Sequence, residues 1–242
     1  MRTKSILRAC GIPTVNIVRL FFYKRIFPFV LFTLLPLCGF SQSLDERIAS
    51  HGLTDLRDLD STILIDMKYA TTDNFMAKNV YGELHGAYLL DKVAKAVVAA
   101  NKELAKLKPG HRIVIFDAAR PISVQRYMWS LVKDTPDKIY VASPTRGGMH
   151  NFGAAVDLTI AGPDGRYLDM GTPYDHFGPE AHVGGEQALA EKGSISMEAM
   201  ENRRFLVALM KRQGMRVYSK EWWHYELFST QYVRENFRLL DF

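Results

Sequence analysis

The chain has 242 residues, 48% of them hydrophobic, which is enough for one well-packed domain. Its formal charge of +5 comes from one end: six of its 31 basic residues (Arg2, Lys4, Arg8, Arg19, Lys24 and Arg25) and no acidic residue lie in residues 1–41. The other 201 residues carry 25 basic and 26 acidic groups and no cysteine, since Cys10 and Cys38 also lie in the first stretch. That balance gives no electrostatic case for nucleic-acid binding, and it excludes disulfide scaffolding and thiolate catalysis in the body.

In chain order, the positive flank is followed by an apolar run from Ile26 to Phe40 with Gly39 and Ser41 near its end. This predicts a signal peptide or N-terminal anchor over residues 1–41, with the functional domain over 42–242. The run is shorter than the roughly 20 residues a bilayer span needs, so no stable membrane span is expected after signal removal. A cysteine-free body suits a periplasmic or secreted protein.

Ser43 to Leu59 reads as helical or irregular, and Ser61 to Met67 alternates as a strand. Leu89, Leu90, Val93, Val97, Ala100, Leu104 and Leu107 recur at helical spacing until Pro109-Gly110 stops the helix. Arg112 to Phe116 reads as a buried strand that leads into Asp117-Ala118-Ala119-Arg120-Pro121. Ile122 to Val132 reads as a second helix, and a Pro- and Gly-rich segment then delivers His150. Ala154 to Ile160 is a short, partly β-branched strand. Gly162 to Arg166 is a turn and Asp169 to Glu180 a loop. Met197 to Gln213 is a helix with Ser196 as N-cap and Gly214 as stop. Met215 to Tyr218 and His224 to Phe228 read as paired strands. Helices and strands mix without regular βαβ alternation, which predicts one α+β domain: a small antiparallel sheet with flanking helices.

Two stretches carry chemistry. Gly148-Met149-His150-Asn151-Phe152-Gly153 precedes the strand that bears Asp157. Alternation puts Ala155, Asp157 and Thr159 on one strand face, and a fold-back at Gly153 brings His150 over that face. Downstream, Glu221-Trp222-Trp223-His224 adds an imidazole and a carboxylate, and a turn entering a strand at Tyr225 would let both face one cavity. Two imidazoles, one carboxylate ligand and a spare carboxylate are what a catalytic zinc ion requires. Asp157, fixed between apolar strand residues and facing the histidine turn, is assigned to the metal, and Glu221 to the water. The Trp222-Trp223 pair should desolvate Glu221 and raise its pKa toward that of a general base. Arg120 reads equally as an exposed, salt-bridged arginine at a helix start or as an oxyanion partner. His51, His85, His111, His176 and His182 lie in polar or loop contexts without ligand spacing.

His-x-x-Gly-x-x-x-Asp followed by Glu-x-x-His resembles the zinc D,D-peptidases of the hedgehog/D,D-peptidase fold, and within them the D-alanyl-D-alanine dipeptidases. The likeness extends through Lys68-Tyr69-Ala70-Thr71, Asp73-Asn74-Phe75, Asp117 to Pro121, Asn202-Arg203-Arg204 and Glu221 to Tyr225. The resemblance implies one Zn2+ per chain on His150, Asp157 and His224, with Glu221 as base and Arg120 as transition-state arginine. It implies that Asp175 receives the free ammonium of a small D-amino-acid dipeptide and that Tyr69 lines the substrate pocket. Gly148 departs from the family's usual serine, which removes a hydroxyl beside the substrate amine and predicts looser selectivity there. Rival readings are a D,D-carboxypeptidase or peptidoglycan endopeptidase on the same fold, and a non-catalytic cell-wall binding domain. A binding domain would need neither Glu221 nor Arg120.

Overall fold

Residues 42–242 are described by a computed structural model of the chain, and the predicted signal segment, residues 1–41, lies outside them. The chain enters through α1 (Leu44–Ala49), closed by a reciprocal cap in which the Glu46 amide donates to Ser43 Oγ and the Ser43 amide to the Glu46 carboxylate. β1 (Thr54–Asp55), α2 (Leu56–Leu59) and β2 (Leu64–Ile65) follow. β3 (Tyr88–Leu89) pairs antiparallel with β1 and leads into α3 (Asp91–Leu107). β4 (Arg112–Asp117) and α4 (Ile122–Val132) match their predicted spans closely. The remainder is β5 (Ala155–Ala161), α5 (Glu186–Glu191), α6 (Met197–Arg212), β6 (Arg216–Tyr218), β7 (Glu221–Glu226) and α7 (Thr230–Asn236).

The α+β expectation holds, with a five-stranded sheet in the order β2-β4-β5-β7-β6. Every pairing in it is antiparallel except that of β2 with β4, which is parallel. The strand expected over residues 61–67 shrinks to two residues. Asp60 holds the Thr62 amide in a turn before it (3.0 Å), and a tight helical turn over Lys68–Ala70 follows it. The buried residues of α3 (Val93, Ala94, Val97, Val98, Ala100, Asn101 and Leu104) follow the helical period and pack on β4 and α6. Asn101 is the polar member of that stripe, and it is satisfied. Its Nδ2 donates to Asp60 and Thr62, and its Oδ1 accepts from the Ile113 amide (2.9 Å), tying helix to sheet.

β5 is buried along its whole length, so both of its faces are covered. Cross-strand register places Asp117 of β4 opposite Asp157 of β5, and Asp157 opposite His224 of β7. Directly opposed residues project to the same side of a sheet, so three polar side chains stand in a row across its centre. Gly153 sits in the left-handed region (φ +66°) just before β5, and a Cβ there would come within 2.8 Å of the Leu53 side chain. The fold-back that the sequence assigned to this glycine is therefore present.

Two helices escaped the sequence reading. α5 has six residues and no side-chain cap, and α7 buries only Val233, so neither carries an apolar stripe to detect. The hairpin from β6 to β7 also differs from expectation. The strand begins at Glu221 rather than near Tyr225, and the pairing shifts between Val217–Tyr225 and Tyr218–Glu221. This irregularity takes the place of the expected turn, and it puts Glu221 and His224 beside one cavity.

Candidate metal centre

His150 is delivered by a tight helical turn over Met149–Phe152, stitched by the Gly148 amide to Asn151 Oδ1 (2.7 Å) and by Asn151 Nδ2 to the Arg120 carbonyl (2.8 Å). Its Nε2 lies 3.1 Å from Asp157 Oδ1 and 3.1 Å from His224 Nδ1, and the last two atoms are 3.0 Å apart. A tetrahedral ion with bonds of about 2.0–2.1 Å separates its ligands by roughly 3.3 Å, so three buried donors in this triangle fit a metal ion after slight expansion. The outer contacts fix which nitrogen faces the triangle. His150 Nδ1 is 2.7 Å from the Ala118 carbonyl and His224 Nε2 is 3.2 Å from Glu226, so each ring donates outward through that nitrogen and turns its other nitrogen toward the triangle. The second oxygen of Asp157 accepts from the Tyr174 hydroxyl at 2.9 Å.

Burial alone would raise the Asp157 carboxyl, but the adjoining His150 and His224 hold it well below the usual carboxylate range. For His224 burial works against the charged ring, but hydrogen bonds to Asp157 and Glu226 prevail and push it up to about 10.

Glu221 stands just outside the triangle, its Oε2 3.8 Å from His224 Nδ1. Burial raises its carboxyl to about 8, with Asp157 and Asp175 reinforcing the shift and His224 and Arg120 opposing it. The desolvation expected of Glu221 is thus present. Arg120 is buried, not exposed as its structural reading had it, but it is salt-bridged: its Nε and Nη2 donate to Asp117 Oδ2 at 2.9 and 2.6 Å. Its Nη1 donates to Gln125 Oε1, and the guanidinium lies 5.0 Å over the Tyr69 ring. The same group also lines the cavity, with Nη2 at 4.0 Å from Asp157 Oδ2. The ion pair with Asp117 thus aims the fork along the cavity wall.

Asp175 completes the wall. Its two oxygens accept from the Tyr69 hydroxyl (2.9 Å) and the Phe75 amide (3.2 Å). Although the residue borders the open cavity, its carboxyl is enclosed, and burial raises it to about 7 against these two hydrogen bonds. All seven residues singled out from the sequence line one cavity of about 520 Å³. Gly148 lines it too, and a Cβ there would stand 2.9 Å from the Ala142 Cβ, so the neighbouring loop closes over the place where a side chain would go.

Sequence reasoning missed the supporting groups Asp117, Tyr81, Gln125, Tyr174 and Glu226. Tyr81 donates to Asp117 at 2.7 Å and so holds the acid that aims Arg120. Glu226 was detectable as the acid two positions beyond His224 on the same strand. Tyr81 gave no sequence signal because its partner is 36 positions away, and Gln125, five positions from Arg120, lay inside a stretch read only as helix.

Asp175 has a measurable consequence for stability. A carboxyl raised to about 7 from 3.8 binds its proton more tightly in the folded protein, so its ionisation opposes folding. That opposition is absent below about pH 4, grows as pH rises, and is complete above about pH 7. Asp175→Asn should be more stable than the parent at about pH 8, by at most about 4 kcal/mol, and equally stable near pH 4. Urea melts at the two pH values check this, and equal stability at the higher pH contradicts it.

A buried His/Asp/His triangle with an open cavity beside it and a carboxyl raised toward neutrality is the layout of a metallopeptidase. The family model described as D-ala-D-ala dipeptidase matches residues 49–240, and the chain belongs to this metallopeptidase family. The D-alanyl-D-alanine dipeptidase of Escherichia coli is 35% identical over 175 residues, covering 72% of this chain and 84% of that protein. The one from Enterococcus faecium is 33% identical, covering 77% and 96%, and the one from Streptomyces coelicolor 31%, covering 70% and 88%. Among the described residues no helix is long and apolar enough to cross a membrane.

Proposed function

We propose that this protein is a zinc dipeptidase that hydrolyses D-Ala-D-Ala or closely related cell-wall dipeptides, and that residues 1–41 direct it to the periplasm or out of the cell. The observation that carries the reading is the donor triangle at 3.0–3.1 Å opening on the same cavity as Glu221, Arg120 and Asp175. His150, Asp157 and His224 would hold one zinc ion per chain, and the ion supplies Lewis acidity to the scissile carbonyl and the attacking water. Glu221 removes a proton from that water and returns it to the leaving amine, a task for which its raised pKa suits it. Arg120, aimed by Asp117, faces the negative charge that develops on the carbonyl oxygen. Asp175 receives the substrate ammonium, and Tyr69 holds Asp175 in place through its hydroxyl.

Two imidazoles and a carboxylate suit zinc in a catalytic site, as opposed to the all-oxygen sets of magnesium or calcium. The ammonium role of Asp175 separates a dipeptidase from its carboxypeptidase rival. An acylated amine cannot pair with a buried carboxylate, so N-acetyl-D-Ala-D-Ala should be cut more slowly than the free dipeptide by about a hundredfold or more. The test is kcat/KM on a panel of D,D-, L,D- and L,L-dipeptides with and without the acetyl group. Asp175→Ala should narrow the gap, mainly by damaging the free dipeptide. Equal rates on free and acetylated substrates would place the protein with the carboxypeptidases.

A further inference from the structure

The loop between β5 and α5 carries Tyr174 and Asp175, and Asp175 holds a left-handed backbone (φ +59°). A residue with a Cβ keeps that conformation only where its surroundings fix it. Part of the fixing is direct, through Tyr69 and the Phe75 amide. The rest comes from α6. Asn202 Nδ2 donates to the Asp169 carbonyl at 2.9 Å, and Ser196 Oγ to the Asp169 carboxylate at 2.8 Å. The next residue, Arg203, is fully buried. Its Nε donates to the Met170 carbonyl (2.6 Å), its Nη1 to the Glu180 carbonyl (2.7 Å) and its Nη2 to Thr172 Oγ1 (3.4 Å). Thr172 Oγ1 also accepts from Trp222 Nε1 at 2.9 Å, next in sequence to Glu221. One guanidinium therefore grips the loop on both sides of Asp175, and the shared hydroxyl ties the grip to the strand that carries the base.

We infer that Arg203 is a positioning residue for the substrate amine site, acting by clasping the two ends of the loop that presents Asp175. The inference rests on the proposed ammonium role of Asp175. Two features set Arg203 apart from an ordinary core residue. Its hydrogen bonds among the described residues go to carbonyls and a hydroxyl, with Glu186 and Asp169 acting only at longer range, although a buried cation without a directly paired carboxylate is unfavourable. In addition, its three acceptors belong to one loop but are spread over ten positions of chain, a span that a planar five-donor fork meets and an ammonium does not. Lysine at this position keeps the charge and loses the fork.

The experiment compares Arg203→Lys and Thr172→Val with the parent, measuring bound zinc, Tm, and kcat/KM on D-Ala-D-Ala and N-acetyl-D-Ala-D-Ala. Zinc should remain at one per chain, because its candidate ligands come from β5, β7 and the turn before β5. For Arg203→Lys, kcat/KM on the free dipeptide should fall by about tenfold or more, carried mostly by KM, since misplacement by about 1 Å is enough for such a loss. The acetylated substrate should lose less, so the preference for a free amine narrows. Thr172→Val should show the same narrowing to a smaller extent, and it decides the matter if Arg203→Lys does not fold. A lower Tm with an unchanged preference in both variants would make Arg203 a purely structural residue and overturn the inference. If the parent itself makes no distinction between the two substrates, the ammonium role of Asp175 fails first, and the clasp loses its purpose with it.

Discussion

Glu221→Gln is expected to bind zinc as the parent does and to lose kcat by about a thousandfold, within the range that general-base removal produces. The geometry sets the proposed base apart from the proposed ligands. The three donor atoms lie 3.0–3.1 Å apart, whereas Glu221 Oε2 stands 3.8 Å from His224 Nδ1, outside that triangle. Glutamine keeps the size and one acceptor oxygen but cannot take a proton from water. Burial, which raises the Glu221 carboxyl to about 8, makes it a stronger base than a solvated carboxylate. Metal analysis of the purified variant and kcat on D-Ala-D-Ala are the two measurements. Zinc lost from the variant would make Glu221 a ligand and reopen the place of Asp157, and near-parental kcat would remove Glu221 from the chemistry.

The parts of this site that were legible in the sequence are those whose geometry is local. Asp157 could be placed on a strand face because side chains alternate, and His150 could be placed over it because Gly153 permits the fold-back; both hold in the structure. Spacing alone could not bring Glu221 and His224 together. Three residues apart on a regular strand they would point to opposite faces, and what reconciles them is a pairing irregularity against β6 that no residue pattern announces. Long-range polar partners were equally hidden. Tyr81 and Asp117 are 36 positions apart, and Arg203 and Met170 are 33, so each pair becomes visible only once the sheet and α6 are in place. The parallel β2 was also beyond reach, because a two-residue strand carries no direction in its sequence. The resemblance to the dipeptidases did supply Asp175 and Tyr69, whose hydrogen bond the structure contains. Asp175 on sequence position alone would have passed for a turn residue after Pro173.

Removing the metal, or one of its ligands, should abolish turnover altogether and do so with a proton signature. In the metal-free protein His224 is pushed up to about 10, because its hydrogen bonds to Asp157 and Glu226 outweigh the burial that favours the neutral ring. Around neutral pH this ring therefore carries a proton that a metal ion must displace, since only neutral imidazole binds. Loading zinc onto chelator-treated protein at about pH 7 should release at least about one proton per ion, and the apparent affinity should fall by about tenfold for each pH unit lost per proton displaced. The sign follows from the raised pKa: the protonated, metal-free form gains weight as pH falls, and binding weakens with it. Activity should return in step with zinc added. His224→Ala removes both the third donor and the displaced proton, so it should bind zinc far more weakly, release fewer protons and recover no activity at zinc levels that restore the parent. Titration of the metal-free protein in weak buffer with a pH indicator, beside recovery of D-Ala-D-Ala cleavage, reads both effects together. Turnover that persists in protein shown by metal analysis to be empty would sink the metal-dependent reading, and zinc uptake without proton release would mean that the ion displaces no proton from His224.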